Sequence, residues 1–190
     1  MTTKSGIRLA LVSASLLAVG FAAATAQPDP RLVMTGEAAA EVGEMNMINA
    51  ATAEAVAKAC ERLAADRGES MAIMILDNFG NIMRVHRMDG PTHNSIRFAE
   101  RKARTALLTR RPTHLRQNTV TQNPISMVRE FGLGFFPQAG GLPIWAGGQI
   151  IGFIGVGGSN PRPPEWSDEI CAHRALEEVV GPQPPLTQDP

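Results

Sequence analysis

Arg87 and Asp89 flank Met88 in the run RMDG, and His93 follows three residues later. A guanidinium at such a strand end can hold a carboxylate through two parallel hydrogen bonds. The competing reading is structural: Arg87 and Asp89 pair with each other or cap the following helix, and Gly90 permits the turn. His93 and His114 are the candidate metal ligands, because neutral imidazole suits iron and each stands where a loop meets a helix. His86, beside Arg84, and His173, beside Arg174, rank behind them. Each histidine taken alone also reads as a surface or helix-end residue. Neither H-E-x-x-H nor a close His/Asp metal triad occurs. Lys102 or Arg87 can hold an anion while Asp89 or His93 moves a proton, if a pocket gathers them around a small organic acid or sugar-like substrate. Nucleophilic catalysis has little to draw on. No serine stands in a G-x-S-x-G elbow, and Cys60 and Cys171 fall on predicted helices, where packed thiols are inert.

The glycines of GGLPIWAGGQIIGFIGVGG, residues 140–158, invite a phosphate-loop reading. Gly155 and Gly157 supply two positions of G-x-G-x-x-G, but Asn160 takes the third and Pro161, Pro163 and Pro164 follow, so no helix starts there. A β-hairpin fits better: an apolar run GLPIW, a turn AGG and a second run QIIGFIGV. Backbone N–H groups at Gly155 to Gly158 can face an anion, but close packing, against the R-M-D-G strand end or at a subunit contact, is the preferred role.

Other elements must position these residues. Asn46 to Asp66 reads as a helix, with Ile48, Ala55, Ala59 and Leu63 inward, and Arg67-Gly68 ends it. Met71 to Leu76 is a buried strand, DNFGN a turn and Ile82 to Arg87 the return strand. Alternation sets Met83 and Val85 on one face and Arg84 and His86 on the other. A helix follows from His93 to Thr109, with Ile96, Ala99, Ala103 and Leu107 inward. Arg97, Glu100, Arg101 and Arg104 lie on its solvated side and Lys102 at the margin. Thr113 is positioned to cap a polar helix through Thr121. Pro124 to Glu130 is expected to add a turn or two of helix, and residues 132–134 a loop. Ser167 caps a final helix, Asp168 to Val180, stopped by Gly181-Pro182. Helix, hairpin, helices, hairpin, helix predicts an α+β domain with an antiparallel sheet.

The N-terminus carries Lys4 and Arg8, an apolar stretch and then Ala24-Thr25-Ala26. Residues 1–26 therefore read as a secretory signal peptide, which implies a periplasmic or secreted protein. Residues 27–45 are a lead-in, 46–181 the domain, and 182–190 a tail expected to be disordered. Lys4 and Arg8 leave with the signal, so 16 of 18 basic residues remain against 18 acidic ones, a net charge near −2. That balance points away from nucleic acid and anionic membranes. No further segment is expected to cross a bilayer. In an oxidising compartment Cys60 and Cys171 can pair. Two small buried apolar residues is the preferred reading, because sequence does not give their distance.

The ordered set MAIMILDNFGNIMRVHRMDG, SIRFAERKARTA, RRPT, GGLPIWAGGQIIGFIGVGG and SDEICAHRAL resembles the GlcG/HbpS family from about Met47 to Val180. The resemblance implies a profilin-like α+β fold assembled as dimers or larger rings such as octamers. Some members bind or degrade haem and report to a sensor kinase; others are domains attached to a cobalamin adenosyltransferase, or products of glycolate-utilisation operons. On that footing the expected function is binding of haem or a comparable planar or carboxylated small molecule. Arg87 is then the residue for a propionate, and His93 or His114 the iron ligand. Asp89 and Lys102 are further contacts, and Thr113, Gly157 and Gly158 shape the wall. A small-molecule enzyme and a ligand-free oligomeric scaffold are the alternatives. A membrane sensor or a neighbouring dehydrogenase is the expected partner.

Overall fold

The computed structural model describes residues 46–162 and 165–186; the expected signal peptide and lead-in lie outside them. Nine elements follow in order. They are α1 (Ala50–Ala65), β1 (Ala72–Leu76), β2 (Ile82–Arg87), α2 (Ser95–Thr109), α3 (His114–Gln122), α4 (Ile125–Gly132), β3 (Gly141–Ala146), β4 (Gln149–Gly157) and α5 (Asp168–Val179). The two hairpins join through β1 and β4 into one antiparallel sheet, ordered β2-β1-β4-β3.

β1 is buried on both faces, and its alternation divides the core. Ile73 and Ile75 face α1 and α5, joining Val56, Cys60, Ala172 and Leu176. Met74 and Leu76 face α2, joining Ala99, Ala103, Ala106 and Phe153. Small residues on α2 let it come close to β4, and the glycines of β4 complete the fit. A Cβ on Gly155 would lie 2.0 Å from the carbonyl oxygen of Ala99, and one on Gly157 2.7 Å from that of Ser95. Close packing of this glycine corner is thus observed, but Gly155 and Gly157 pack against α2 rather than against the R-M-D-G strand end.

Three local expectations need correction. The register shifts opposite Ile75 and Leu76. This bulge turns Met83 toward the α1–α5 core, while Val85 opposes Met74 on the α2 side, so the two do not share a face. Lys102 is buried rather than marginal. Cys60 and Cys171 form a disulfide, with Cα atoms 5.5 Å apart. They lie 111 residues apart in sequence, yet α1 and α5 pack side by side.

Of the two expected caps, Ser167 and Thr113, only Ser167 acts as one, and α1 starts at Ala50 rather than Asn46. Asn49 caps α1 by accepting from the Thr52 N–H, and Ser167 caps α5 by accepting from the Ile170 N–H. Thr113 holds the N-cap position of α3, but its hydroxyl makes no cap hydrogen bond. Residues 182–186 of the expected tail lie against β3, where the Gln183 amide bonds both backbone groups of Trp145 at 3.0 Å. Residues 187–190 are outside the described part.

Candidate functional site

The first two residues of α5, Asp168 and Glu169, each hold a nitrogen-bearing side chain from another element. Lys102 reaches from the middle of α2 and places Nζ 2.6 Å from Asp168 Oδ2, with side-chain exposures of 4% and 14%. Asp168 Oδ1 accepts the Ser159 N–H at 2.8 Å. Carboxylates at a helix N-terminus are also favoured by the helix dipole. Gly140 leaves space for this pair: at φ +121°, a Cβ there would lie 2.7 Å from the Asp168 Cβ and 3.1 Å from Lys102 Nζ. His114, opening α3, sets Nδ1 2.9 Å from Glu169 Oε1. Such a carboxylate fixes the ring plane and, with Nδ1 as donor, the tautomer.

Thr113 ties this cluster to the sheet. Its Oγ1 donates to the Gln138 carbonyl at 2.6 Å and accepts the Gly141 N–H at 2.9 Å. Its own N–H donates to the Gly141 carbonyl. Lys102, Thr113 and His114 therefore meet around the start of β3 and the start of α5. The Lys102 ammonium is engaged there, and an anionic ligand would compete with Asp168 for it.

Arg87, Asp89 and His93 form a second group before the first turn of α2. Arg87 donates from Nη2 to the Pro91 carbonyl at 2.8 Å, clamping the loop rather than pairing with Asp89. Asp89 and His93 are exposed and make no hydrogen bond or ion pair among the described residues. Gly157 and Gly158 stand at this end of α2, against Ser95. Ser95 and Lys102 are seven residues apart on one helix, on the order of 10 Å along its axis, and His93 lies before Ser95. His93 and His114 thus belong to different groups. Among the described residues no three His, Cys, Asp or Glu side chains are gathered to hold a metal.

Between the two groups lies a cluster that the sequence reading passed over. Phe98 of α2 stacks on Phe136, ring centroids 5.3 Å apart and planes 19° apart, and Phe131 of α4 meets Phe136 edge-on at 6.4 Å. The Arg101 guanidinium lies 5.9 Å from the Phe136 ring, and that of Arg116 4.2 Å over Phe135. The Phe136 N–H donates to Thr105 Oγ1 at 2.8 Å, fixing the loop onto α2. Beneath it, buried Glu130 takes Arg116 and Arg129. One signal was available: Phe131, Phe135 and Phe136 are three of only seven phenylalanines, all within FGLGFF.

Comparison with known proteins joins this geometry to a family. Residues 48–177 match the family model for the haem degrading protein HbpS-like group. GlcG of Escherichia coli K12 is 32% identical over 104 residues, 55% of this chain and 76% of GlcG. Streptomyces reticuli HbpS, solved as a double mutant, is 29% identical with a TM-score of 0.63, covering 82% of this chain and 98% of that one. PduOC, solved as a haem complex, shares the fold at 22% identity and a TM-score of 0.62, over 70% of this chain and 95% of that one. With the family model spanning most of the described residues, the chain belongs to the HbpS-like family.

Proposed function

We propose that this is an exported, homo-oligomeric protein that binds haem or a ligand of the same planar, carboxylated kind. The observation that carries the reading is the aromatic and guanidinium cluster on the outward side of α2, in a chain of the HbpS-like family. That a fold neighbour was crystallised with haem supports the choice of ligand.

The residues fit such a group chemically. Phe131 is exposed and Phe98 partly so, and both offer apolar ring surface, held by the buried Phe136 between them. Arg97 and Arg101 are exposed on α2, and guanidinium groups suit propionates. Arg87 spends one donor on Pro91 and keeps others. His93 is the exposed imidazole of this region, and His114 is the one already oriented by a carboxylate. Haem would supply a redox-active iron; Phe98 and Phe131 would pack against it, Arg97 and Arg101 would take its carboxylates, and His93 or His114 would offer an imidazole to the iron. Asp89 and Lys102 would act through the local field, and Thr113, Gly157 and Gly158 through the shape of the backbone.

A haemin titration followed by visible absorption tests this. The expected result is a saturable band, shifted or lost in His93→Ala or His114→Ala and weakened in Arg101→Ala. A featureless, non-saturating titration would overturn the haem reading. Decay of a bound band in the presence of a reductant would extend the function from binding to degradation.

A further inference from the structure

Helix α4 is turned inside out. Its buried residues are Ser126 and Glu130. Its apolar ones face outward: Ile125 is 83% exposed, Val128 78% and Phe131 47%, and Leu133, just past the last turn, is exposed as well. An amphipathic helix packed on a core in water does the reverse. The inward side chains have partners that account for their burial. Ser126 Oγ donates to the Asn123 carbonyl at 2.6 Å, and Glu130 holds Arg116 and Arg129. Among the described residues nothing covers the apolar side chains.

The charge around this face is of one sign. From Arg101 to Pro164 the only acidic residue is Glu130, and it is buried. Arg97, Arg101 and Arg104 lie exposed along the outward stripe of α2, Arg110 and Arg111 just beyond its end, and Arg129 on α4 itself. Glu100, the carboxylate on that stripe, is taken by Arg104 at 2.9 Å. Phe98 and Phe131 both meet Phe136, and Arg101 lies beside the same ring, so α4 adjoins the arginine-bearing side of α2. Glu54, Glu61, Glu177 and Glu178 belong to α1 and α5, on the opposite face of the sheet. The overall balance, which points away from anionic surfaces, conceals this separation.

We propose that this face docks on an anionic lipid bilayer, with Ile125, Val128, Phe131 and Leu133 entering the boundary of the acyl chains and the arginines lying among the headgroups. The inference stands apart from the haem reading, whose ring cluster borders this face. A peripheral membrane surface needs apolar side chains for the hydrocarbon and cations for the headgroups. Both are present here, and from Arg101 to Pro164 no exposed carboxylate opposes them. Arginine stems are long enough to lie along apolar surface while the guanidinium stays among phosphates. A second copy of the chain suits the face less well. About a two-fold axis it would bring the same arginines to meet these, and no free carboxylate to answer them.

Flotation of the purified protein with vesicles, in the absence of haem, tests the assignment. Vesicles of phosphatidylglycerol and phosphatidylcholine in equal parts should carry the protein at low salt, and vesicles of phosphatidylcholine alone should not. Added salt should weaken the binding. The Ile125→Ser, Val128→Ser double variant should bind about tenfold or more weakly, and Arg129→Gln about fivefold more weakly. All three side chains are exposed, so the variants should melt with wild type. No flotation with the anionic vesicles, equal flotation with both kinds, or binding untouched by the double variant would each overturn the proposal. A double variant of altered sedimenting mass would overturn it too, by making α4 a contact between subunits. Retention on immobilised polyglutamate without flotation would overturn it in favour of an acidic protein partner. None of these outcomes bears on the haemin titration, so the two readings fail separately.

Discussion

Asp77 shows how much one side chain can fix. It closes β1 and holds the turn to β2. Oδ1 accepts the N–H groups of Phe79 and Asn81 at 2.8 and 2.9 Å, and Oδ2 accepts the Asn81 side-chain amide at 2.8 Å. Burial pushes this carboxyl up, but the hydrogen bonds from Asn81, Phe79 and Gly80 together outweigh it and hold the group below its ordinary value of 3.8. A depressed folded-state pKa contributes stability above the unfolded-state value, and the contribution is lost as pH falls through the folded one. Asp77→Ala should therefore cost about 2 kcal/mol at pH 7. The difference from wild type should narrow in acid, once the carboxyl protonates below its ordinary range. Urea midpoints at pH 7 and pH 3 measure both; a gap that widens in acid would show that the ionised carboxylate is not what holds the turn. The run DNFGN announces a turn in the sequence, but not that its aspartate is 6% exposed and fully bonded.

The pairing of α1 with α5 depends on the two ends of the domain meeting. Ala53, Val56, Ala57 and Cys60 of α1 share a core with Cys171, Ala172, Ala175 and Leu176 of α5, and the disulfide joins the two helices at its centre. Closing a loop of 111 residues removes much of the unfolded chain's freedom, worth about 2–5 kcal/mol. The Cys60→Ala, Cys171→Ala double variant should keep the fold and lose stability of that order in thermal unfolding. Both sulfurs are buried, so reductant should leave the native melting curve unchanged at short times and lower it only after a cycle of unfolding. Wild-type and variant proteins melting together without reductant would show that the cross-link contributes nothing. The elements themselves were legible in the sequence: periodicity placed the helices and strands, and glycine and proline their ends. Long-range neighbours were not. The cystine, the burial of Lys102 against Asp168 and the pairing of His114 with Glu169 each join segments more than 50 residues apart. Local spacing carries no record of such distances. The Phe98–Phe136 stack was hidden in the same way, because one ring lies on a helix whose charges pointed to solvent.

At the largest scale, the described residues form one four-stranded sheet that must keep its edges from pairing at random, and β3 is protected by three unrelated devices: a threonine, a proline and a side chain from beyond the last helix. Gln183 is the removable one. Its amide imitates a neighbouring strand at Trp145, and its Nε2 also donates to the Gly181 carbonyl at 3.0 Å, which folds the segment back on itself. Nearby, the His173 ring bonds the Pro184 carbonyl at 2.8 Å, and Leu186 packs on the α1–α5 core. Loss of the amide leaves the Trp145 N–H and carbonyl facing outward on a strand whose own side chains are apolar. Gln183→Ala should cost about 1 kcal/mol in stability. Its more telling effect is a gain of association, because an uncovered edge is a template for another strand. Exchange of the Trp145 amide should speed up, and light scattering should rise with concentration above that of wild type. A Gln183→Ala protein with wild-type scattering and wild-type Trp145 exchange would mean that Pro143 and Thr113 close β3 by themselves.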